Sequence, residues 1–450
     1  MDDHPLPALE QAAPLVAREL RQGMHLFLLP LLALVDAQID RRLVRTLLAS
    51  VEAILAFRHR AHGLLLSELG AYLAGPAHAP AGTKRLFNLL RSAKWSARLI
   101  EDFLWQQAEG RRAALAAAGE AVLAVWDESV LEKPESQATP GLCPVRSSKA
   151  GRLARSRGRK APPSRPVFVW GMQWLGLLIV GYEGAPTLAC MRWWTTGGRG
   201  ASDKRTEEAL LLAQCAHAWG PRVLHLWDRG FAGTRWLGLA LAAQMRFVLR
   251  WPKKYVLVDA AGQARPTWQI ARGKRAWGRR ELWDGRRHCW RTTSVLAFPV
   301  THPAFAQQLW LVVARRGQGQ SPWYLVTTEP VQTLDDAWRI VLAYARRWQI
   351  ELTWRYSKSE LAMESPRLWT WERRHKLLLL AALAYAFLLT LLHPALAPLR
   401  TWLLRHWCHR TGHHVQQAVA PLYRLRSALS RLWLAAPTAP PPPALRPRPG

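Results

Sequence analysis

Two short apolar runs, each followed by an aspartate, constrain the fold of this chain most strongly. The first is Ala121–Trp126, followed by Asp127, and the second is Val223–Trp227, followed by Asp228. Short runs of this kind are typical of strands that are buried on both faces of a sheet. A carboxylate at the carboxyl end of such a strand lies where α/β folds build their sites. Asp127 and Asp228 are therefore candidate site residues, although an Asp at either position also suits a cap on the next turn.

The segments around these runs predict an α/β fold. Residues 7–118 repeat Leu and Ala at three- and four-residue spacing, which predicts helices. Strand-like segments at Val167–Trp174 and Thr187–Trp194 precede a predicted helix from about Ser202 to Trp219. Residues 247–328 are β-rich, and a long helix is expected to start near Leu334. The expected architecture is an all-helical N-terminal domain before a mixed α/β core.

The charge of the chain points to a polyanionic partner. Its 62 Lys and Arg outnumber 31 Asp and Glu, which gives a net charge of +31. Nucleic acid is the first candidate partner, and an anionic membrane surface is the second. The uncharged stretch Leu377–Leu392 is shorter than the ~20 residues of a spanning helix, so we predict a buried core helix. Five dispersed cysteines and an acidic start without a signal peptide favour the cytoplasm.

Two basic segments are candidate DNA contacts. A helix is predicted at Leu64–Leu73, a breaker runs from Gly75 to Gly82, and a basic helix with Lys84 and Arg85 follows. This order is that of a helix-turn-helix, although two ordinary helices with a solvated basic face fit equally well. Eight of the twenty residues from Arg146 to Arg165 are basic, which predicts a flexible loop that orders on phosphates. The tail at 437–450 is Pro-rich and predicted to be disordered.

A third acidic candidate comes from the helix predicted to continue through Lys358. At 100° per residue, Tyr344, Arg347, Glu351 and Lys358 fall within one stripe about 60° wide, with Trp348 at its edge. Such a stripe suits phosphate and metal better than a core. Glu360 and Glu364 fall on the opposite side, so Glu351 is the favoured acid. The alternative is a solvated face with an Arg–Glu pair.

These residues resemble the bacterial insertion-sequence DDE transposases of the insertion sequence four family. The family signature places Arg three residues after Tyr, Glu four residues after Arg, and Lys seven residues after Glu, and residues 344–358 match it at every spacing. Asp228-Arg229-Gly230-Phe231 is similar to its second-acid motif, and Trp126-Asp127-Glu128-Ser129 occupies the place of the first. Trp323–Thr328 also fits. The resemblance covers roughly residues 60–395.

The resemblance implies a ribonuclease-H-like catalytic core with a β-rich insertion between Asp228 and Glu351. The expected divisions are a helical DNA-binding region (1–118), the first part of the core (119–246), the insertion (247–330), the catalytic helix and end of the core (331–395), a C-terminal helical region (396–436) and the tail (437–450). Asp127, Asp228 and Glu351 would hold two Mg²⁺ or Mn²⁺ ions for cleavage and strand transfer. The implied DNA-contacting residues are Tyr344, Arg347, Trp348, Lys358, Arg229, Lys84 and Arg85.

The implied partners are double-stranded element ends and target DNA, bound by a homodimer in a bacterial, nucleoid-associated setting without a membrane. Trp348 is a candidate to stack on an unpaired base during a hairpin step, and core packing is its alternative role. Two other functions stay open. One is a catalytically inactive or domesticated DNA-binding relative, and the other is a ribonuclease-H-like nuclease without strand transfer.

Overall fold

A twelve-stranded mixed sheet runs through the computed structural model. The structure describes residues 6–133, 136, 138–147, 149–150, 166–284, 289–317, 320–408 and 422–436. The strands are β1 (Leu123–Glu132), β2 (Cys143–Arg146), β3 (Phe168–Val180), β4 (Thr187–Trp194), β5 (Leu224–Trp227), β6 (Arg246–Arg250), β7 (Val256–Val258), β8 (Ala264–Pro266), β9 (Gly278–Asp284), β10 (Cys289–His302), β11 (Phe305–Arg315) and β12 (Trp323–Thr327).

Helices precede, interrupt and follow these strands, which makes the fold mixed α/β as predicted. Within the described residues they are α1 (Leu6–Asp36), α2 (Arg41–Ala56), α3 (Leu66–Ala74), α4 (Ala79–Arg91), α5 (Arg98–Ala117), α6 (Lys204–Trp219), α7 (Thr234–Ala242), α8 (Thr267–Ile270), α9 (Leu334–Ala345), α10 (Trp348–Ser359), α11 (Trp371–Thr390), α12 (Ala397–Trp407) and α13 (Leu422–Ala435). The predicted helical segment 7–118 is thus divided into five helices before the first strand.

The first strands set the register of the two aspartates. β3 lies antiparallel between β1 and β4, whereas β5 and β6 extend the sheet in parallel on the other side of β1. Leu123 pairs with Leu224 and Val125 with Leu226. Because parallel strands keep a constant offset, this register continues to Asp127 beside Asp228.

The sheet separates two hydrophobic layers, and alternation along β1 assigns its side chains to them. Leu123 and Val125 belong to the layer that contains α10 and α11, whereas Ala124 and Trp126 belong to the layer that contains α6 and α7. Asp127 continues the alternation of Leu123 and Val125, so its side chain faces the helix that carries Glu351.

The β-rich segment is continuous with the core sheet and does not form a sheet of its own. β12 pairs antiparallel with β6, and β11 and β10 follow in order. β6 pairs in parallel with β5 of the core. Because β6 runs from Arg246 to Arg250, it crosses the predicted boundary between residues 246 and 247. Sequence patterns show strand formation but not the non-local pairing that joins two segments into one sheet.

The apolar stretch at Leu377–Leu392 lies mostly in α11, whose residues from Leu377 to Leu389 are buried, as predicted for a core helix. Among the described helices none is long and apolar enough by itself to cross a membrane. One pair, Trp371–Thr390 with Pro394–Trp407, reaches that length and composition together but bends by 78°.

The N-terminal basic segment contains a tighter helix pair than the sequence predicts. Its second helix, α4, begins at Ala79, so Gly82 lies inside it and not in the breaker. A Cβ atom at Gly82 would approach the Gly70 carbonyl oxygen to 2.0 Å, so α3 and α4 cross backbone to backbone. This contact excludes any larger residue and explains why a glycine is tolerated in the helix. Residues 151–165 and the tail lie outside the described residues.

Candidate active site

Asp127 and Asp228 lie at one edge of the sheet, on adjacent parallel strands. Asp127 is inside β1, and Asp228 directly follows β5. The Asp228 carboxylate also accepts a hydrogen bond of 2.6 Å from the Gly230 backbone N–H, which caps the short turn at Arg229–Phe231. The capping alternative is therefore realised at Asp228, but it occupies only one carboxylate oxygen.

An indole from α10 holds the Asp127 side chain. Trp354 Nε1 donates to Asp127 Oδ2 at 3.1 Å. Gly176 is the partner of Asp127 across the β1–β3 pairing, and a Cβ atom there would lie 2.1 Å from the Trp354 ring. Only a glycine leaves room for the indole. Sequence reasoning missed both residues, although Trp354 lies three residues after Glu351 on one helix face and a glycine inside a strand often marks a close approach.

The predicted continuous helix from Leu334 to Lys358 is interrupted, which corrects the helical projection. α9 ends at Ala345 and α10 begins at Trp348. Across the junction the backbone N–H of Arg347 donates to the Tyr344 carbonyl and that of Ile350 to the Arg347 carbonyl, which are i to i−3 bonds. Such bonds tighten the turn and rotate the residues before it relative to those after it.

Tyr344 consequently leaves the predicted stripe. Its side chain is 2% exposed and packs edge-on against Trp323, with ring centroids 5.1 Å apart. Arg347 lies near the Tyr344 ring, with its guanidinium carbon 5.9 Å from the centroid. Tyr344 therefore supports Arg347 from the interior in this structure, which differs from the phosphate-facing position that the projection predicts.

Arg347 bridges two of the three acids. Its guanidinium donates to Glu351, one helical turn ahead, and its Nη1 lies 3.8 Å from Asp127 Oδ2. The Arg347 side chain is 9% exposed and Glu351 is 34% exposed. The Arg–Glu pair predicted as an alternative is thus present, but it is directed at a second carboxylate and not only at solvent.

The three carboxylates share one electrostatic field. Burial, followed by the charges of Asp228 and Glu351, raises the pKa of Asp127 to about 7. Arg347 and the Glu128 backbone N–H oppose this shift. Repulsion of this kind is what a bound cation would relieve.

The donor set fits a hard divalent cation by its chemistry, because all three candidates are carboxylates. No group of three or more His, Cys, Asp or Glu stands close enough to hold a metal anywhere in the described ranges. Glu351 is engaged by Arg347 in this conformation, and its carboxylate must leave that pair to join the aspartates. The Arg347–Glu351 pair therefore keeps the Glu351 carboxylate engaged apart from the two aspartates.

Glu128, the neighbour of Asp127, belongs to the other face of the sheet. It pairs with Lys204 of α6, and Lys204 also lies 3.6 Å from Glu208. Burial raises the pKa of Glu128 to about 8. Glu128 is therefore separated from Asp127 by the strand itself, and it is not an alternative to Glu351.

The remaining predicted site residues surround the acids or lie on another element. Lys358 Nζ donates to Ser129 Oγ at 2.7 Å, which connects the end of α10 to β1 two residues beyond Asp127. Arg229 is exposed beside Asp228. Trp348 is 41% exposed, so core packing does not account for it. Lys84 and Arg85 are exposed on α4, an element that contributes no acid.

Comparison with known proteins adds one informative match. Residues 194–387, less than half of the chain, match the family model described as a transposase DDE domain. The matched region includes Asp228 and Glu351 and begins after Asp127. No curated protein matches the chain. A solved structure described as a piggyBac transposase synaptic complex with hairpin DNA is 13% identical, with a TM-score of 0.32. That alignment covers 70% of this chain and 54% of the other, so the chain spans about half of its length.

Proposed function

We propose that this protein is a DDE transposase of the insertion sequence four type, with Asp127, Asp228 and Glu351 as its catalytic acids. The observation that carries the proposal is that Asp228 and Glu351 both act electrostatically on the buried Asp127, while Arg347 links Asp127 to Glu351. The transposase DDE domain match independently covers two of the three acids. The strand order β4-β3-β1-β5-β6, with three antiparallel strands and then two parallel ones, supports a ribonuclease-H-like core.

The proposed cofactors are two divalent cations, Mg²⁺ or Mn²⁺. When bound, they supply an activated hydroxyl and stabilise the leaving oxygen of an in-line displacement. Asp127, Asp228 and Glu351 hold them. Trp354 orients the Asp127 carboxylate, and Arg347 restrains Glu351 until a cation competes for it. Since Arg347 then lies beside an occupied site, its guanidinium is available to a DNA phosphate.

DNA binding follows from the charge and from the exposed basic residues. Lys84 and Arg85 on α4 bind the backbone of the element end, whereas Arg229 and Lys358 bind phosphates next to the acids. Trp348, exposed at the start of α10, stacks on a base that leaves the duplex during a hairpin step. A homodimer brings two ends together before the 3′-hydroxyl groups are joined to target DNA.

The test uses the full chain with labelled duplex carrying the inverted repeats that flank its gene. We expect Mg²⁺-dependent nicked, hairpin and fully cut products, and transfer to a target plasmid. Asp127→Asn, Asp228→Asn and Glu351→Gln should each abolish cleavage and retain DNA binding. Glu364→Gln is the matched control, because Glu364 pairs with Lys149 and lies off the proposed site.

The outcomes separate the rival functions. Cleavage without transfer to the plasmid would indicate a nuclease. Binding without cleavage under Mg²⁺ and Mn²⁺ would indicate an inactive DNA-binding relative. Normal cleavage by Glu351→Gln together with loss of cleavage in Glu364→Gln would contradict the assignment of the third acid.

A further inference from the structure

One strand outside the core presents aromatic and basic side chains on a single face. Along β9 and the residue before it, Trp277, Arg279, Glu281 and Trp283 alternate with Gly278, Arg280 and Leu282. Side chains two residues apart in a strand point to the same face. Trp277 is 41% and Trp283 52% exposed, and Arg279 is also exposed. The odd-numbered residues therefore form an outward face.

The other face of β9 packs against α9. The Arg280 guanidinium donates to Asp335 at 2.8 Å and lies 5.2 Å from the centroid of the Trp338 ring. A Cβ atom at Gly278 would lie 2.7 Å from Leu334. These contacts place the even-numbered face of β9 towards α9, although the Arg280 side chain remains 46% exposed.

The partner strand adds a second tryptophan at the matching position. Trp290 of β10 is directly opposite Trp283, and their rings meet edge-on with centroids 5.5 Å apart. Trp290 is 66% exposed. Two large apolar side chains that remain in solvent as a pair mark an interaction surface more often than single exposed residues do. We name Trp277, Arg279, Trp283 and Trp290 the ribbon surface.

The ribbon surface lies on the same edge of the sheet as the acids. Residue pairs between neighbouring strands trace this edge from β5 to β10. They are Trp227 with Leu249, Arg250 with Leu325, Trp323 with Ala314, and Arg315 with Ser294. β11 ends at Arg315, so β10 residues before Ser294 pair with β9 alone. From Ser294 to Trp290 this two-stranded ribbon extends about 14 Å beyond the neighbouring strand.

A basic turn precedes the ribbon. Arg272, Lys274 and Arg275 are all exposed. The Arg315 guanidinium fixes this turn by donating to the Lys274 and Ala271 carbonyls at 3.0 and 2.8 Å. Glu281 is the one described acid on the outward face of β9, and it accepts a hydrogen bond from Thr292. These cations lie at the base of the ribbon and the Trp283–Trp290 pair lies near its tip, roughly 20 Å further along β9, with the exposed Arg279 between them.

We propose that the ribbon surface and its basic turn bind single-stranded DNA, with bases stacked on Trp283 and Trp290 and phosphates held by Arg272, Lys274 and Arg275. Positively charged residues that follow the backbone and aromatic side chains that accept base faces are the combination that holds unpaired strands. A paired duplex offers the phosphates but keeps its base faces covered. In a role that rests on the proposed transposase function, the occupant is the strand displaced at a cut end.

The test measures binding without cleavage. The full chain in EDTA is titrated against a labelled 20-nucleotide thymidine oligomer and against a blunt duplex of equal length. Trp283→Ala/Trp290→Ala should weaken single-strand binding about 5- to 150-fold for each stacked base and leave duplex binding unchanged. Arg272→Gln/Lys274→Gln/Arg275→Gln should lower the slope of log affinity against log salt by about 2 for the single strand.

Trp369→Ala is the matched control, because Trp369 is 61% exposed outside the ribbon surface and should leave both affinities unchanged. An unchanged melting temperature for the double tryptophan variant excludes unfolding, and Trp283→Phe/Trp290→Phe, which keeps two aromatic faces, should retain most of the affinity. Normal single-strand binding by the double alanine variant, or equal loss for both DNAs, would overturn the proposal. Since no cleavage occurs in EDTA, an inactive acid site leaves this result unaffected.

Discussion

Trp354 donates an indole hydrogen bond to the carboxylate of Asp127, whose pKa is raised by burial and by its acidic neighbours. The two residues are far apart in sequence, and they meet only because α10 packs across the face of β1 to which Asp127 points. The other carboxylate oxygen, Oδ1, accepts from the Glu128 backbone N–H at 2.9 Å, so the two bonds together fix the orientation of the carboxylate. Trp354 is therefore a positioning residue for the proposed site.

The first prediction tests the positioning role of Trp354 by changing the indole itself and the glycine that makes room for it. Trp354→Phe keeps an aromatic ring but removes the indole donor, and a lost hydrogen bond to a charged group costs about 1.5–3 kcal/mol. If that energy orients Asp127 for cleavage, the rate should fall about 10- to 150-fold. Gly176→Ala should act similarly, because its methyl group displaces the indole. The measurement is the single-turnover cleavage rate of each variant with Mg²⁺.

Gly197→Ala is the control for the glycine variant, since a Cβ atom there meets no atom within 4 Å. It should cleave at the wild-type rate. Cleavage by Trp354→Phe at the wild-type rate, with Asp127→Asn inactive, would show that the indole does not position the acid.

A second prediction concerns stability at low pH and the buried His225. Its Nδ1 accepts a hydrogen bond of 3.0 Å from Trp126 Nε1, and the side chain is fully buried. Burial, assisted by the charge of Arg246, lowers the pKa of His225 from 6.5 to about 3. The unfolded chain therefore binds the proton more readily. The stability from keeping His225 neutral is fully present above pH 6.5 and is lost as the pH falls towards 3.

At pH 5 this loss is about 2 kcal/mol of the free energy of unfolding. His225→Leu should remove it, so the slope of unfolding free energy against pH between 4 and 6 should decrease by about 1.4 kcal/mol per pH unit. Denaturant melts at several pH values measure the slope in both proteins. Equal slopes would mean that His225 is protonated in the folded protein.

Much of the candidate site could be predicted from local patterns. The apolar runs before Asp127 and Asp228 are strands, and Glu351 and Lys358 lie on one helix as expected. The burial of α11 confirms the interpretation of Leu377–Leu392 as a core helix. These features depend on periodicity within a few residues, which a single sequence records directly.

What could not be predicted depends on contacts between distant segments. The junction between α9 and α10 contains Arg346 and Arg347, two good helix formers in helical backbone conformation, so no breaker residue signals it. Gly176 gains its meaning only from the indole that crosses the sheet from α10. In both cases tertiary packing determines the geometry, and the local sequence preference does not distinguish it from the alternatives.

A third prediction tests the N-terminal helix pair with salt. Lys84→Gln/Arg85→Gln should lower the slope of log affinity against log salt by about 2 on element-end DNA, because each lost phosphate contact removes one released counterion. Binding titrations between low and moderate salt measure it. Arg18→Gln/Arg98→Gln removes the same charge from exposed positions on α1 and α5. An equal change in this control would assign the effect to net charge and not to α4.

The last prediction concerns Trp348, which is 41% exposed at the start of α10 with the Arg347 guanidinium carbon 5.9 Å from its ring centroid. Trp348→Ala should spare the first nick, which needs the acids and an attacking hydroxyl. The hairpin step should slow, because a flipped base loses its stacking partner at a cost of about 1–3 kcal/mol. That cost corresponds to about 5- to 150-fold at this step.

A time course of nicked, hairpin and fully cut DNA, with thermal melting in parallel, distinguishes the two roles of Trp348. Stacking predicts that nicked DNA accumulates while the melting temperature stays at the wild-type value, since a half-exposed ring leaves no cavity when it is removed. Trp348→Phe keeps an aromatic face and should recover part of the hairpin rate. If all products instead form more slowly by one common factor and the melting temperature falls, Trp348 supports the fold of α10, and the base-stacking role is wrong.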